Sequence, residues 1–168
     1  MTIYRPARID DALEIAKVHR AAFGGEDEVK LVGMLEACGD VAASIVAEED
    51  NRVVGHVMLS RMEAEADGTT IEALALAPVA VLPERQGVGI GGALVRTAEA
   101  TARQLGCQAI FLLGEPGYYG RFDYDVGAAR PFESPYAGDY WQVLLIDGGL
   151  RETRAGKAKH ARAFAALG

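Results

Sequence analysis

The segment Gln86-Gly87-Val88-Gly89-Ile90-Gly91-Gly92 places four glycines within six positions, just ahead of a strongly helical stretch. Glycine loses more backbone freedom on folding than any other residue, so such a cluster needs a reason. Without β-carbons, several backbone N–H groups can close around an anion, and the dipole of the following helix adds favourable potential there. A diphosphate is the guest these residues predict. A plain strand-to-helix turn needs one or two glycines, not four.

Which diphosphate is a separate question. Gly87, Gly89 and Gly92 spell the dinucleotide pattern G-x-G-x-x-G, and Glu115 follows the next strand. That pattern expects its first glycine to end the strand directly, whereas Pro83-Glu84-Arg85-Gln86 intervene here, and it expects further βαβ units after the loop. The lysine of a phosphate-binding P-loop is missing. A second group, Tyr118, Tyr119, Phe122 and Tyr124, is an aromatic cluster whose spacing alone speaks for packing.

The elements that position these residues follow from periodicity. Thr2 to Arg5 reads as a short strand. Asp10 is placed to cap a helix through Phe23, broken by Gly24-Gly25, and a second helix covers Asp27 to Ala37. Val41 to Glu48 and Arg52 to Met62 read as hairpin strands, and Asp67-Gly68 marks a turn before the apolar run Ile71 to Leu82. Pro78 cannot donate to a ladder, so its strand should bulge or splay. Gly89 to Leu105 is the clearest helix, followed by a strand over Gln108 to Leu113, a short turn of helix over Pro116 to Phe122 and a strand over Tyr140 to Ile146. Antiparallel hairpins with one βαβ crossover predict a mixed sheet with helices on its faces.

In this setting, Val81 to Leu94 resembles motif A (Q/R-x-x-G-x-G/A) of the GNAT superfamily of N-acetyltransferases, with Gln86, Gly89 and Gly91 on its defined positions. The resemblance extends over the element order from Thr2 to Ile146. It implies an α+β GNAT fold, a mixed sheet of six or seven strands with a splayed motif A strand, in a domain over residues 1–150. It also implies that Val79, Ala80 and Val81 pair with the pantetheine arm of acetyl-CoA, while Gln86, Gly87, Val88, Gly89, Ile90, Gly91 and Gly92 hold its diphosphate. Tyr119 matches the tyrosine that in relatives protonates the coenzyme sulfur, within a stretch similar to Y-x-x-F-G-F. Asp123 stands where that stretch has glycine. The reaction so implied is direct acetyl transfer to a primary amine, with no serine or cysteine placed to take a covalent acyl group. A non-catalytic acyl-CoA sensor would keep the loop and be indifferent to Tyr119.

Other candidates read as structural. Relatives with a glutamate base carry it where this chain has Ala75; Glu72 could act only through water. Glu26-Asp27-Glu28, near the acceptor side by analogy with relatives, suit a helix start. His19 falls on an apolar helix face, His56 has no cysteine or second histidine near it in sequence, and no metal spacing appears. Ser60 and Ser134 lie in no nucleophile motif, and Cys38 and Cys107 read as buried thiols. Residues 151–168 read as a basic, alanine-rich tail forming a solvated helix. A net charge of −7 argues against nucleic-acid partners. Neither the first residues nor the run from Ala73 to Leu82 suits a signal peptide or membrane span, which predicts a cytoplasmic protein without membrane partners. The acceptor stays open among polyamine, aminoglycoside-like molecule, peptide N-terminus and lysine side chain, and a homodimer is compatible with the resemblance.

Overall fold

The computed structural model describes residues 1–166. One twisted sheet organises them, in the order β1 (Ile3–Pro6), β2 (Val41–Glu49), β3 (Arg52–Ala66), β4 (Thr69–Val81), β5 (Ala109–Leu113), β7 (Trp141–Leu145). Every pair on this path is antiparallel except β4 and β5, which are joined by the crossover helix α3 (Ile90–Gln104). Two-residue turns with left-handed backbone, Asp50-Asn51 and Asp67-Gly68, close the two hairpins.

The sheet has eight strands rather than six or seven, and the extra ones explain the correction. Strand β3 outruns β2, whose register ends at Val41 opposite Ser60. The leftover edge, Glu63–Ala66, is taken by β8 (Gly156–Lys159), which pairs in turn with β6 (Phe132–Glu133). The expected solvated helix beyond residue 150 is therefore a strand plus a short helix over Arg162–Ala165. Gly156 must be small here: a β-carbon would lie 2.8 Å from the Glu65 carbonyl oxygen.

Helices cover both faces. Gly55 abuts Leu94 of α3, while the next residue, His56, meets His19 of α1 (Ala12–Phe23), so α3 and α1 lie on opposite sides of β3. Helix α2 (Asp27–Ala37) buries Leu31, Val32 and Leu35 against Met58 and Ala163. The start of α1 is anchored by Asp11 rather than Asp10. Asp11 accepts the Arg8 N–H at 2.6 Å and pairs with Arg5 at 2.8 Å. Cys107 is buried as expected, but Cys38 is exposed at the end of α2.

His56 does have a second histidine beside it, from a helix 37 residues away: His19 Nε2 lies 2.8 Å from His56 Nδ1. Burial pushes both imidazoles below their ordinary value of 6.5, and His160, packed among Tyr136, Trp141 and Phe164, falls to about 4 for the same reason. An unfolded chain takes up protons near pH 6.5 that these rings refuse when folded. Stability is thus complete above that pH and falls as pH drops below it, by about 2 kcal/mol between pH 7 and pH 5 for each fully buried ring. A urea midpoint no lower at pH 5 than at pH 7 would contradict this.

Candidate active site

The site is built where β4 leaves β5. Their parallel register runs only from Ala73 to Ala75, and the rest of β4 diverges. Opposite β3, residues Ala77 and Pro78 together face the single residue Met58, the bulge expected of a proline in a strand. Beyond the bulge, Val79, Ala80 and Val81 form one wall of a cleft of about 560 Å³. Gln86, Gly87, Gly89, Gly91 and Gly92 form its end, and Tyr118, Tyr119 and Arg121 face them. Ala22 and Phe23, from the last turn of α1, complete it.

The fold supplies its own reasons for the four glycines. Gly87 and Gly89 have φ of 79° and 93°, in the left-handed region. A β-carbon on Gly91 would stand 3.2 Å from the Tyr118 Oη, and one on Gly92 3.2 Å from Phe122 Cζ. Their number alone therefore does not demand a guest. The start of α3 carries that argument instead. Its N-cap is Gly89, no side chain caps it and no acidic residue stands in its first turn. The first bond back along the helix runs from Ala93 N–H to Gly89 C=O, so the amides before it lie outside the helix ladder. Helix starts usually draw Ser, Thr, Asp or Asn to take up such donors. Here Gly89, Gly91 and Gly92, which carry three of them, line a cleft.

Neighbouring contacts fix the loop. The Gln86 side chain donates to the Val81 carbonyl at 2.9 Å, and Arg85 grips Glu49 at the end of β2 through two bonds of 2.7 and 2.8 Å. Val88 is exposed and outside the cleft lining; the Ile90 side chain is buried in the core, so only its backbone can serve an anion.

Tyr119 ends the short helix α4 (Pro116–Tyr119) and stands edge-on to Tyr118 and Tyr124. Burial pushes its phenol up to about 12, with a smaller push from Tyr118. It is protonated across the physiological range. Its ring rests on Gly114, where a β-carbon would lie 2.6 Å from Tyr119 Cδ2. Gln142, fully buried on β7, holds the Gly114 carbonyl at 2.7 Å. Asp123 adopts φ of 71°, the conformation its glycine counterpart would take freely.

Chains with this arrangement are known. The family described as acetyltransferase (GNAT) domain matches residues 3–127. The chain belongs to the GNAT acetyltransferase family. Across 129 residues it is 36% identical to YjhQ, an uncharacterized N-acetyltransferase of Escherichia coli (strain K12), covering 75% of this chain and 71% of that one. A GNAT acetyltransferase from Brucella melitensis, solved with acetyl-CoA, superposes with a TM-score of 0.80 at 34% identity over 98% of both chains. YhbS of Escherichia coli, solved with CoA, gives 0.89 at 25% identity over 99% of this chain and 93% of that one.

GNAT membership disposes of the dinucleotide reading, and the geometry agrees. Strand β4 stops at Val81, a 3₁₀ turn over Pro83–Arg85 separates it from Gly87, and β4-α3-β5 is the one crossover of this kind in the sheet among the described residues. Neither Glu72 nor the Glu26-Asp27-Glu28 cluster lines the cleft, and Ala75 offers no base. Ala75 is buried, Glu72 lines a separate hollow beside Cys107, and Glu26 pairs with Arg20 on the surface at 2.6 Å. Reading the sequence missed Arg121, Ala22 and Phe23 in the lining. Arg121 stacks over Tyr118 at 4.6 Å and brings a cation to the mouth, a role with no motif to announce it. No group of side chains suited to a metal ion occurs among the described residues, and no helix there is long and apolar enough to cross a membrane.

Proposed function

We propose that this chain transfers an acetyl group from acetyl-CoA to a primary amine by direct attack, acting in the cytoplasm. The observation that carries this is the uncapped start of α3 opening onto the same cleft as Tyr119. The amides of Gly89, Ile90, Gly91 and Gly92 receive the diphosphate, where the helix dipole and Arg121 favour negative charge. The backbone of Val79 to Val81, freed from β5, pairs with the pantetheine arm as an added partial strand. This directs the sulfur toward Tyr119.

The amine nitrogen then attacks the thioester carbonyl, the C–N bond forms and the C–S bond breaks. Tyr119 donates its proton toward the departing sulfur, and the proton lost by the attacking nitrogen, leaving through water, restores the phenol. A phenol near 12 is a weaker acid than an ordinary thiol near 8.5, so full transfer to a thiolate of that basicity would be uphill by about 5 kcal/mol. Within the cleft the same desolvation raises the basicity of the thiolate, and the hydrogen bond strengthens as charge develops on sulfur.

The test is thiol release from acetyl-CoA, followed across polyamines, aminoglycosides, peptides with free N-termini and lysine side chains. Acceptor-dependent release with one of them supports transfer; acetyl-CoA binding without release in any of them would speak for a sensor. The seat of Tyr119 gives a second test. Gly114→Ala is expected to displace the ring and cut turnover by about tenfold or more, because misplacing a reacting group by about 1 Å is that costly. Acetyl-CoA affinity, read by calorimetry, should hold within about twofold.

A further inference from the structure

A second constellation lies between β2, β3 and α1, outside the lining of the coenzyme cleft. Ser44 Oγ is 2.8 Å from His56 Nε2, and His56 Nδ1 is 2.8 Å from His19 Nε2. Nucleophile, base and orienting group stand in line, each within hydrogen-bond reach of the next, the arrangement that activates serine on unrelated folds. Both histidines are fully buried, while Ser44 is half-buried and opens onto a cleft of about 620 Å³ between α1 and α2. This volume is in the range of small-molecule sites. Its lining is mostly apolar, including Ala12, Ile15 and Val32, with Arg8 and Glu36 as its charged members.

We propose that Ser44 is an activated nucleophile, with His56 as its base and His19 as a positioning residue, and that it accepts acyl groups from esters of short apolar acids. The rings can share their proton in either of two ways, and one of them makes His56 the base. Two neutral imidazoles share one proton across the 2.8 Å contact. When His56 Nδ1–H donates to His19 Nε2, His56 Nε2 is a bare acceptor for the Ser44 hydroxyl. Burial keeps both rings uncharged, so that acceptor is available at neutral pH. In the step itself Ser44 Oγ bonds to the ester carbonyl carbon and its proton moves to His56 Nε2. The acyl–oxygen bond then breaks and the leaving oxygen takes that proton. The carboxylate that stabilises the imidazolium in most such triads is replaced by neutral His19, with Asp11 the anion acting on His56 from a distance. The nucleophile is consequently slower than in a dedicated hydrolase. Ser44 does not line the coenzyme cleft, so this site stands apart from the proposed transfer and can fail without it.

The test is covalent capture of the full-length protein with a fluorophosphonate, in which the Ser44 oxygen replaces fluoride on phosphorus, read by peptide mass spectrometry. The expected result is one adduct on Ser44, absent in Ser44→Ala and formed at least tenfold more slowly in His56→Gln. His19→Asn, which can still bond to His56 Nδ1, should label faster than His19→Leu, with acetyl-CoA affinity equal in the two. Labelling of the unaltered protein no greater than that of Ser44→Ala overturns the proposal, as does an undiminished rate in a folded His56→Gln protein. Should His56→Gln not fold, the comparison with Ser44→Ala decides alone. Equal rates in the two His19 variants remove that residue from the site.

Discussion

Replacing Tyr119 with phenylalanine is expected to lower kcat by about 100- to 1,000-fold while leaving the dissociation constant for acetyl-CoA within about twofold. The ring contacts with Tyr118, Phe122 and Tyr124 survive this change, as does the seat on Gly114. Only the hydroxyl is lost, and with it the donor aimed at the leaving sulfur, so the cost falls on the transition state. The pH profile sharpens the test. A phenol pushed up to about 12 stays protonated far into alkali. Rates should therefore rise with pH as the acceptor amine loses its proton, with no descending limb from Tyr119 below about pH 10. Unchanged turnover in a folded, coenzyme-binding Tyr119→Phe protein would remove the tyrosine from the chemistry.

Gly91→Glu is expected to weaken acetyl-CoA binding by about 100-fold with the fold intact. Gly91 is in the first turn of α3, and glutamate is a better helix former than glycine, so the helix should not suffer. The new carboxylate would face the pocket reserved for a diphosphate. Two unit charges about 5 Å apart repel by about 3 kcal/mol at an effective dielectric of about 20. Gly91→Ala is the control: its β-carbon meets the Tyr118 hydroxyl at 3.2 Å, which can give way, and Val81 Cγ2 at an ordinary 3.7 Å, so the loss should stay under about tenfold. Calorimetric titration of both variants decides the matter. Equal, undiminished affinity in the two would move the phosphates elsewhere.

Much of this site could be read from the sequence because its parts are local. The glycine loop, its helix and the bulge at Pro78 arise from residues within about one turn or one pleat of each other. Tyr119 came from the resemblance rather than from spacing, since the spacing of four clustered aromatic residues by itself speaks for packing. What stayed hidden is what tertiary structure brings together. His19 and His56 are 37 residues apart, and only the docking of α1 on β3 makes them neighbours. Phe23 enters the cleft because α1 ends there, not because of its own type. Strand β8 did leave a trace: Gly156, Lys157, Ala158 and Lys159 alternate small and charged, and the fold buries the small ones and exposes the lysines. A basic run among alanines masked that period of two.

The overhang of β3 has a consequence for how the molecule keeps to itself. Glu63 to Ala66 offer one side of their backbone to β4 and the other to β8. Cutting the chain after residue 150 would strip that second side and bare a row of amides and carbonyls beside the apolar patch of Ala64, Ala66 and Phe132. Raw edges of this sort recruit strands from other molecules. A shortened version could thus bind its coenzyme faithfully and still drift into aggregates as its concentration rises.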